Sequence, residues 1–426
     1  MAEQNLCIDF LREIGSVEDL KSDMSRGLRA DCDVLFNSHV HFPPNFSAFE
    51  TVEQAMDLAA EQNIKVLGTG NYYNYAVYEQ FSLKAQQRGI FPLFGTEVIS
   101  LERDIMEKGL RFNDPGNPGK LYICGKAITG FVDMQPKARE LLSIMCANDS
   151  ARIAEMIKKM ASVFKAGGLD TGLTQELVIR RIAERHQCDP KTIVLQERHV
   201  AQVFQQVICE LLEKDPNPGM LRTIFGADSV SALDDAVGLQ NEIRTYLMKS
   251  GKPCFVSEDF FDFKQSCELI NTLGGIVCYP VLADGADPRC EYEADPDQLL
   301  ASLKESNIYM AEFIPLRNKT SVLNDYVTTL RKGGIAVVAG TEHNTLDLVP
   351  LDPACKGGEP LSKEIREIFW EGTCVIAAHQ FLTAHGRRGF TDHTGNANKD
   401  YADNEQRIAE FAALGSAVLA RYFKTK

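Results

Sequence analysis

The feature that most limits the fold of this chain is a regular alternation of short apolar runs with amphipathic helical segments. The intervening segments repeat apolar residues at three- and four-residue spacing, which is typical of helices. Continuous apolar strands joined by helices predict a parallel sheet covered by helices. The seven candidate strands cover residues 33–42, 64–71, 91–100, 120–128, 274–281, 308–315 and 333–344. Seven such strands suggest a (β/α) barrel, which places functional side chains at the carboxyl ends of its strands.

Residues 137–250 interrupt this alternation. Their pattern is almost wholly helical and contains no convincing strand. We therefore predict an α/β protein in which residues 1–136 and 251–426 form the barrel and residues 137–250 form a helical insertion domain. The segment "LTQELVIRRIAERHQCD" within the insertion could also be interpreted as a nucleic-acid-binding helical motif.

The charge balance argues against that interpretation. The chain has 45 basic and 59 acidic residues and a formal charge of -14, whereas nucleic-acid binding needs clustered Lys and Arg. A small anionic substrate needs only one or two local cations.

The twelve cysteines are scattered without a CxxC pair, as expected for free thiols in a reducing compartment. With no signal-peptide pattern and no membrane-length apolar run, we expect a cytoplasmic protein that binds a small molecule and no membrane. Its oligomeric state stays open.

A metal site is the strongest functional prediction. In "NSHVHF", residues 37–42, His39 and His41 lie one residue apart after an apolar run. Side chains alternate along a strand, so both imidazoles lie on one face and can share a metal ion. Glu97, Glu312 and Glu342 occur in or after later strands, where an unpaired carboxylate is costly to bury. Two histidines and two of these glutamates would make a site for Zn, Mn or Fe.

At these residues the sequence resembles the PHP (polymerase and histidinol phosphatase) family of metal-dependent hydrolases. The similar segments are "NSHVHF", "IKVLGTGN", "GIFPLFGTEVI", "LINTLGGIVCYP", "IYMAEFIP" and "GGIAVVAGTEHN". They follow the family's order and span about residues 31–135 and 255–350. The resemblance implies a distorted (β/α)7 barrel. It also implies a metal held by His39, His41, Glu97 and Glu342, with Glu342 in place of the family's aspartate.

The sequence departs from the family where further metals would bind. Members commonly hold three metals, but histidines of the other two sites are replaced here by Asn71, Tyr279 and Asn344. We therefore expect one divalent transition metal. Asn71 and Asn344, together with Lys126 on the fourth strand, are predicted to bind substrate. His343 is a candidate for proton transfer and the one residue that could restore a lost metal ligand.

The loop "HGRRG", residues 385–389, adds two cations, Arg387 and Arg388, which could close over an anionic group. A solvated loop is the alternative.

The predicted activity is hydrolysis of a small anionic substrate, as in a phosphoesterase or amidohydrolase. A metal-activated water would attack, and His343 or Tyr279 would move a proton. Two alternatives stay open. One is a degenerate barrel that binds a ligand or partner without catalysis, and the other is a sugar-acid isomerase or lyase.

Overall fold

The computed structural model describes residues 6–213, 218–257 and 259–425. Its strands form two sheets, one of three strands in the order β1-β2-β3 and one of five strands in the order β4-β5-β6-β7-β8. The strands are β1 (Leu35–Val40), β2 (Ile64–Thr69), β3 (Phe91–Leu93), β4 (Gly95–Leu101), β5 (Lys120–Lys126), β6 (Ile276–Val281), β7 (Met310–Phe313) and β8 (Ala336–Ala339). The chain is thus a mixed α/β protein, as the alternation predicts.

The two sheets are adjacent, but among the described strands no continuous ladder of strand pairs closes them into a barrel. Only Phe94 separates β3 from β4, and isolated bridges join Val40 to Glu342 and Tyr72 to Glu97. One expectation was wrong: β5 runs antiparallel to both β4 and β6, whereas the other paired strands are parallel. The short connection between β4 and β5 contains no crossover helix long enough to return the chain for parallel pairing.

Helices cover the sheets and fill the segment between β5 and β6. The helices are α1 (Leu6–Glu13), α2 (Val17–Ser25), α3 (Val52–Glu61), α4 (Val77–Gln87), α5 (Arg103–Glu107), α6 (Pro136–Ala166), α7 (Gln175–His186), α8 (Glu197–Leu212), α9 (Pro218–Phe225), α10 (Ala236–Ile243), α11 (Phe263–Thr272), α12 (Pro296–Glu305), α13 (Thr320–Lys332), α14 (Lys363–Ala384) and α15 (Asn404–Thr425). A π-helical turn, Arg244–Met248, continues α10. None of the described helices combines the length and apolar character needed to cross a membrane.

The buried apolar side chains form two clusters. The larger surrounds both sheets, and the smaller lies among α6 to α10 and extends to Cys254. Helix α6 belongs to both clusters, with Leu141 and Met145 in the larger and Met156 and Phe164 in the smaller. Its 31 residues give it a length of about 46 Å. The helix therefore carries the chain from the sheets into the helical segment.

Side chains at the start of α8 hold this helix against the loop that follows β1. The amide of Phe46 donates a 2.7 Å hydrogen bond to the side-chain oxygen of Gln196. Nδ1 of His199 accepts from the amide of Gln196 at 3.1 Å, and the His199 ring packs edge-on against Phe46. Burial lowers the pKa of His199 to about 3, so the imidazole is neutral. The helical segment is thereby fixed over the carboxyl end of β1.

Candidate metal centre

Strand β1 and the residue that directly follows it bring His39 and His41 to one face, as their spacing predicts. Both side chains are buried, and their ring centroids lie 5.0 Å apart. Strand β4 places the carboxylate of Glu97 opposite them. Its Oε2 lies 3.2 Å from Nε2 of His41 and 3.9 Å from Nε2 of His39. The three residues, called the ligand group below, each offer one ligand atom, and these atoms all lie within 4.8 Å of one another.

Several polar atoms of the ligand group have no hydrogen-bond partner among the described residues. This applies to Nε2 of His39, both ring nitrogens of His41 and Oε2 of Glu97, all of them buried. Buried polar atoms are almost always paired, because an unpaired one loses its hydration without compensation. A divalent cation among these atoms would satisfy three of them at once. Two imidazoles and a carboxylate are also a donor set that Zn and similar metals accept, with room for a further ligand.

A buried carboxylate orients one of these imidazoles. Nδ1 of His39 lies 2.8 Å from Oε2 of Glu312 on β7. When Nδ1–H donates to Glu312, Nε2 carries no proton and can bind a metal. The other oxygen of Glu312 accepts from Ser38 Oγ at 2.9 Å and from Lys126 Nζ at 2.6 Å. The sequence pointed to Glu312 as a strand residue, but it did not indicate this role behind His39.

Lys126 and Glu312 form an ion pair with almost no solvent exposure, at 2% and 1% of their side-chain surfaces. Burial acts to raise the pKa of Glu312, but Lys126 and His39 oppose it and the net shift is strongly downward. Burial acts to lower the pKa of Lys126, but Glu312 reverses this and the net shift is upward. Both groups are therefore charged. Lys126, which the sequence predicted to bind substrate, lies behind the ligand group in this structure.

A second set of residues, His39, Cys124 and Glu312, also has candidate ligand atoms within 4.8 Å of one another. These residues are less suited to binding a metal than the ligand group is. The ammonium of Lys126 already neutralises Glu312. Burial raises the pKa of Cys124 well above its ordinary value, whereas a metal needs the thiolate. The ligand group is therefore the better candidate centre.

Glu342 lies next to the ligand group but is bound by other side chains. The guanidinium of Arg317 donates to both carboxylate oxygens, at 3.0 Å to Oε1, and Asn344 Nδ2 donates to Oε2 at 2.6 Å. Burial raises the pKa of Glu342, but Arg317, His39 and His41 outweigh it and the net shift is downward. Of the four predicted ligands, three converge, and Glu342 stands beside them as an ionised carboxylate.

Neither residue predicted to move a proton contacts the ligand group. Nδ1 of His343 lies 2.7 Å from Thr341 Oγ1, and Nε2 lies 2.9 Å from the carbonyl of Val349. Burial lowers the pKa of His343 to about 4. Tyr279 lies on β6 and faces the buried carboxyl of Glu293; burial, with a contribution from Glu293, raises the pKa of its phenol well above the ordinary value.

The remaining predicted substrate-binding residues lie in three different settings. The side-chain amide of Asn71 donates to the carbonyl of Phe42 at 2.8 Å and accepts from its amide at 2.8 Å, so it fixes the loop after β1. Asn344 is bound to Glu342, as described. Arg387 and Arg388 are exposed and pair with Glu18 and Asp400. In the part of the chain that the structure describes, neither arginine pairs with a residue of the ligand group.

Two further side chains were not indicated by the sequence. The Tyr72 ring stacks on His41, with ring centroids 5.4 Å apart and planes 6° from parallel. Arg317, in the loop after β7, binds Glu342. The segment "GTGNYY" predicts a role for Asn71 but indicates none for Tyr72. Arg317 has no motif around it, and only the folded chain shows its partner.

Comparisons with known proteins bear on the fold. No family model matches the chain, and no curated protein matches it. A solved structure from Bifidobacterium adolescentis, assigned as a metal-dependent phosphoesterase, is similar with a TM-score of 0.53 and 12% identity, over 79% of this chain and 96% of that one. An amidohydrolase from Chromobacterium violaceum, with bound sulfate and no metal, gives a TM-score of 0.49 and 16% identity, over 79% and 97%. At such low identity the likeness to the first structure shows the fold alone.

Proposed function

We propose that this chain is a metal-dependent hydrolase that acts on a small anionic substrate. The observation that carries the proposal is the ligand group, in which buried atoms of His39, His41 and Glu97 converge without partners. The shared fold with a protein assigned as a metal-dependent phosphoesterase supports this class of activity. When bound, one divalent transition metal, Zn, Mn or Fe, would supply Lewis-acid activation of water and of the scissile bond.

The surrounding residues would orient the ligands and exclude bulk water. Glu312 fixes the tautomer of His39, and the ring of Tyr72 covers His41. Glu342 is our proposed fourth ligand, and Arg317 and Asn344 would orient its carboxylate in the way that hydrogen-bonded partners orient metal ligands. This orientation of the ligands matters because a catalytic site tolerates little displacement of its reacting groups.

We also propose that the two sheets correspond to the distorted (β/α)7 barrel of the PHP family, with residues 137–250 as a helical insertion domain. The separate apolar cluster among α6 to α10 supports an insertion with its own core. Free cysteines throughout support a reducing, cytoplasmic setting.

Three features support one metal rather than a cluster. Lys126 supplies a fixed positive charge beside Glu312, where a second cation would otherwise be needed. A Cβ atom at Gly70 would lie 2.1 Å from Nε2 of His39, so no side chain fits at this position, where the family carries aspartate. Both nitrogens of His343 are engaged by other groups.

Elemental analysis of the metal-replete protein tests the proposal. We expect about one transition metal per chain, and none in the double variant His39→Ala/His41→Ala. His393→Ala is the matched control, because this exposed histidine lies outside the site. Hydrolysis of p-nitrophenyl phosphate should follow the metal through these variants. Wild-type protein that holds no metal under metal-replete conditions would refute the mechanism. Two or three metals per chain would indicate a cluster.

A second candidate is a protein that binds its ligand without catalysis. It is favoured by the engagement of both nitrogens of His343 and by the position of Tyr279, which leave neither predicted proton carrier at the ligand group. Bound metal with no turnover of phosphoesters, carboxylic esters or amides would support it. Consumption of sugar acids alone would instead support an isomerase or lyase.

A further inference from the structure

The loop between β1 and α3 lies between the helical segment and the ligand group. It covers residues 42–50, called the β1–α3 loop below, and follows His41 directly. All of its residues except Glu50 are buried, whereas connecting loops usually run over the surface. The polar groups of a buried loop need partners from other parts of the chain. Here those partners come both from the helical segment and from the candidate metal centre.

The helical segment holds the loop at two points. At the centre of the loop, the amide of Phe46 donates a 2.7 Å hydrogen bond to Oε1 of Gln196, the residue before α8, and the Phe46 ring packs edge-on against His199. At the end of the loop, Nδ1 of His186 on α7 lies 2.8 Å from the carbonyl oxygen of Glu50. The position of the loop therefore depends on α7 and α8 as well as on the strands.

The residues on either side of Phe46 hold two parts of the candidate metal centre. Asn45 Oδ1 accepts a 2.6 Å hydrogen bond from the amide of Tyr72, and Ser47 Oγ donates a 2.7 Å hydrogen bond to the carbonyl of His41. Both of these loop side chains are buried. The residue that the helical segment binds thus lies directly between the two residues that bind the site.

Tyr72 contacts two members of the ligand group. Its ring stacks on His41 with the planes 6° from parallel, and its backbone forms an isolated bridge with Glu97. A stacked aromatic contact depends on the offset and the angle between the rings. A displacement of Asn45 would therefore move a ring that covers one ligand and a backbone that pairs with another.

The second half of the loop is bound to the segment that follows β8. The amide of Ala48 donates to the carbonyl of His343 at 2.8 Å, and the Phe49 ring stacks on the His343 imidazole with centroids 4.9 Å apart. The neighbouring carbonyl of Glu342 accepts from the amide of His41 at 2.9 Å. The loop thereby contacts the backbone on both sides of the ligand group.

We propose that Gln196 is a positioning residue for the candidate metal centre, and that through the β1–α3 loop it holds Tyr72 and His41 in the arrangement that receives the metal. This role rests on the proposed function, since it assumes that the ligand group is a metal site. Partners behind metal ligands orient the rings, and their loss commonly weakens metal affinity 10–100-fold. Gln196 acts through intervening residues, so we expect an effect at the lower end of that range.

Metal affinity, measured by competition with a chelator, tests this role. Gln196→Met removes the acceptor oxygen but keeps the length of the side chain, and it should weaken metal binding about tenfold. Gln196→Glu keeps an acceptor oxygen and should bind metal as wild type does. Gln205→Met is the matched control, because it removes a 3.2 Å hydrogen bond from Gln240 inside the helical segment, and it should leave metal affinity unchanged. Should Gln196→Met fail to fold by circular dichroism, Gln196→Ala carries the same expectations.

A second measurement needs no metal. In chelator-treated protein labelled at histidine, the ring current of Tyr72 should shift the ring-proton resonances of His41 upfield, and His41→Ala identifies these resonances. Tyr72→Leu gives their position without the stacked ring. At the same neutral pH, we expect Gln196→Met to move the His41 resonances toward that position. Gln196→Glu and Gln205→Met should leave them in place.

The two measurements separate a failure of this role from a failure of the proposed function. Movement of the His41 resonances in Gln196→Met, but not in Gln205→Met, supports the positioning role even if the protein binds no metal. A folded Gln196→Met protein with wild-type His41 resonances, or with wild-type metal affinity, would overturn it. Equal changes in Gln205→Met would also overturn it, because they would reflect a general loosening of α8. Equal weakening in Gln196→Glu would exclude the acceptor oxygen as the cause and overturn it as well.

Discussion

The buried pair of Lys126 and Glu312 allows a quantitative prediction. Lys126→Met removes the ammonium but keeps a side chain of similar length. Glu312 then keeps two partners, Ser38 Oγ at 2.9 Å and His39 Nδ1 at 2.8 Å, and loses its 2.6 Å contact with the ammonium of Lys126. Removal of one partner of a buried pair costs about 3–5 kcal/mol, because the remaining charge stays desolvated.

Removal of both charges should cost less than removal of one. In Lys126→Met/Glu312→Met neither charge of the pair is left, and the remaining cost is the two hydrogen bonds that Glu312 accepts from Ser38 and His39. Each such bond is worth about 1 kcal/mol. We therefore expect about 2 kcal/mol for the double variant, against about 3–5 kcal/mol for the single variant.

Urea unfolding of the metal-free protein at neutral pH, followed by circular dichroism, measures these values. Wild type, both single variants and the double variant complete a thermodynamic cycle. Lys137→Met, at an exposed pair with Glu140, is the control and should change stability by less than about 1 kcal/mol. A cost below about 1 kcal/mol for Lys126→Met, or single costs that simply add in the double variant, would refute the account of a charged buried pair.

Three further predictions follow from the same structure. Burial raises the pKa of Glu293 to about 8, so the folded chain keeps a proton that the unfolded chain releases. Stability should therefore fall as pH rises from about 4.5 toward 8, by up to about 1.4 kcal/mol per pH unit, and urea unfolding should show a flatter slope for Glu293→Gln; equal slopes would contradict this. Glu312→Gln should weaken metal affinity about 10–100-fold in a chelator competition, since His39 loses its orienting carboxylate; unchanged affinity would exclude that role. Gly70→Ala, whose new Cβ would meet His39 at 2.1 Å, should weaken metal affinity similarly while Gly27→Ala, with open space around it, should not; equal affinities would show that the His39 ring is free to move.

The sequence predicted those parts of the site that depend on local periodicity. His39 and His41 share a face because β1 is extended there, and this needs no knowledge of other elements. Glu97 could be identified as a candidate ligand because a carboxylate inside an apolar run is costly to bury without a partner. The predicted strand 91–100 is divided around Phe94 into β3 and β4, which periodicity alone does not reveal.

The parts that sequence could not predict depend on contacts between distant residues. Lys126 at a strand end resembles a residue that reaches for substrate, and its partner Glu312 lies 186 residues later. The direction of β5 depends on a connection without a long helix, not on the strand's own residues. Gln196 and His199 lie at the start of α8, whose pattern shows a buried face but not that this end of the helix holds the loop after β1.

The separate core of the helical segment has a consequence for how such a protein can diverge. The ligand group rests on the packing of the sheets, whereas the helical segment rests on a cluster of apolar residues that belongs to α6 to α10. Substitutions that reshape one core need not disturb the other, because additivity holds between distant sites. Selection could therefore alter the helical segment while the ligand group is inherited unchanged.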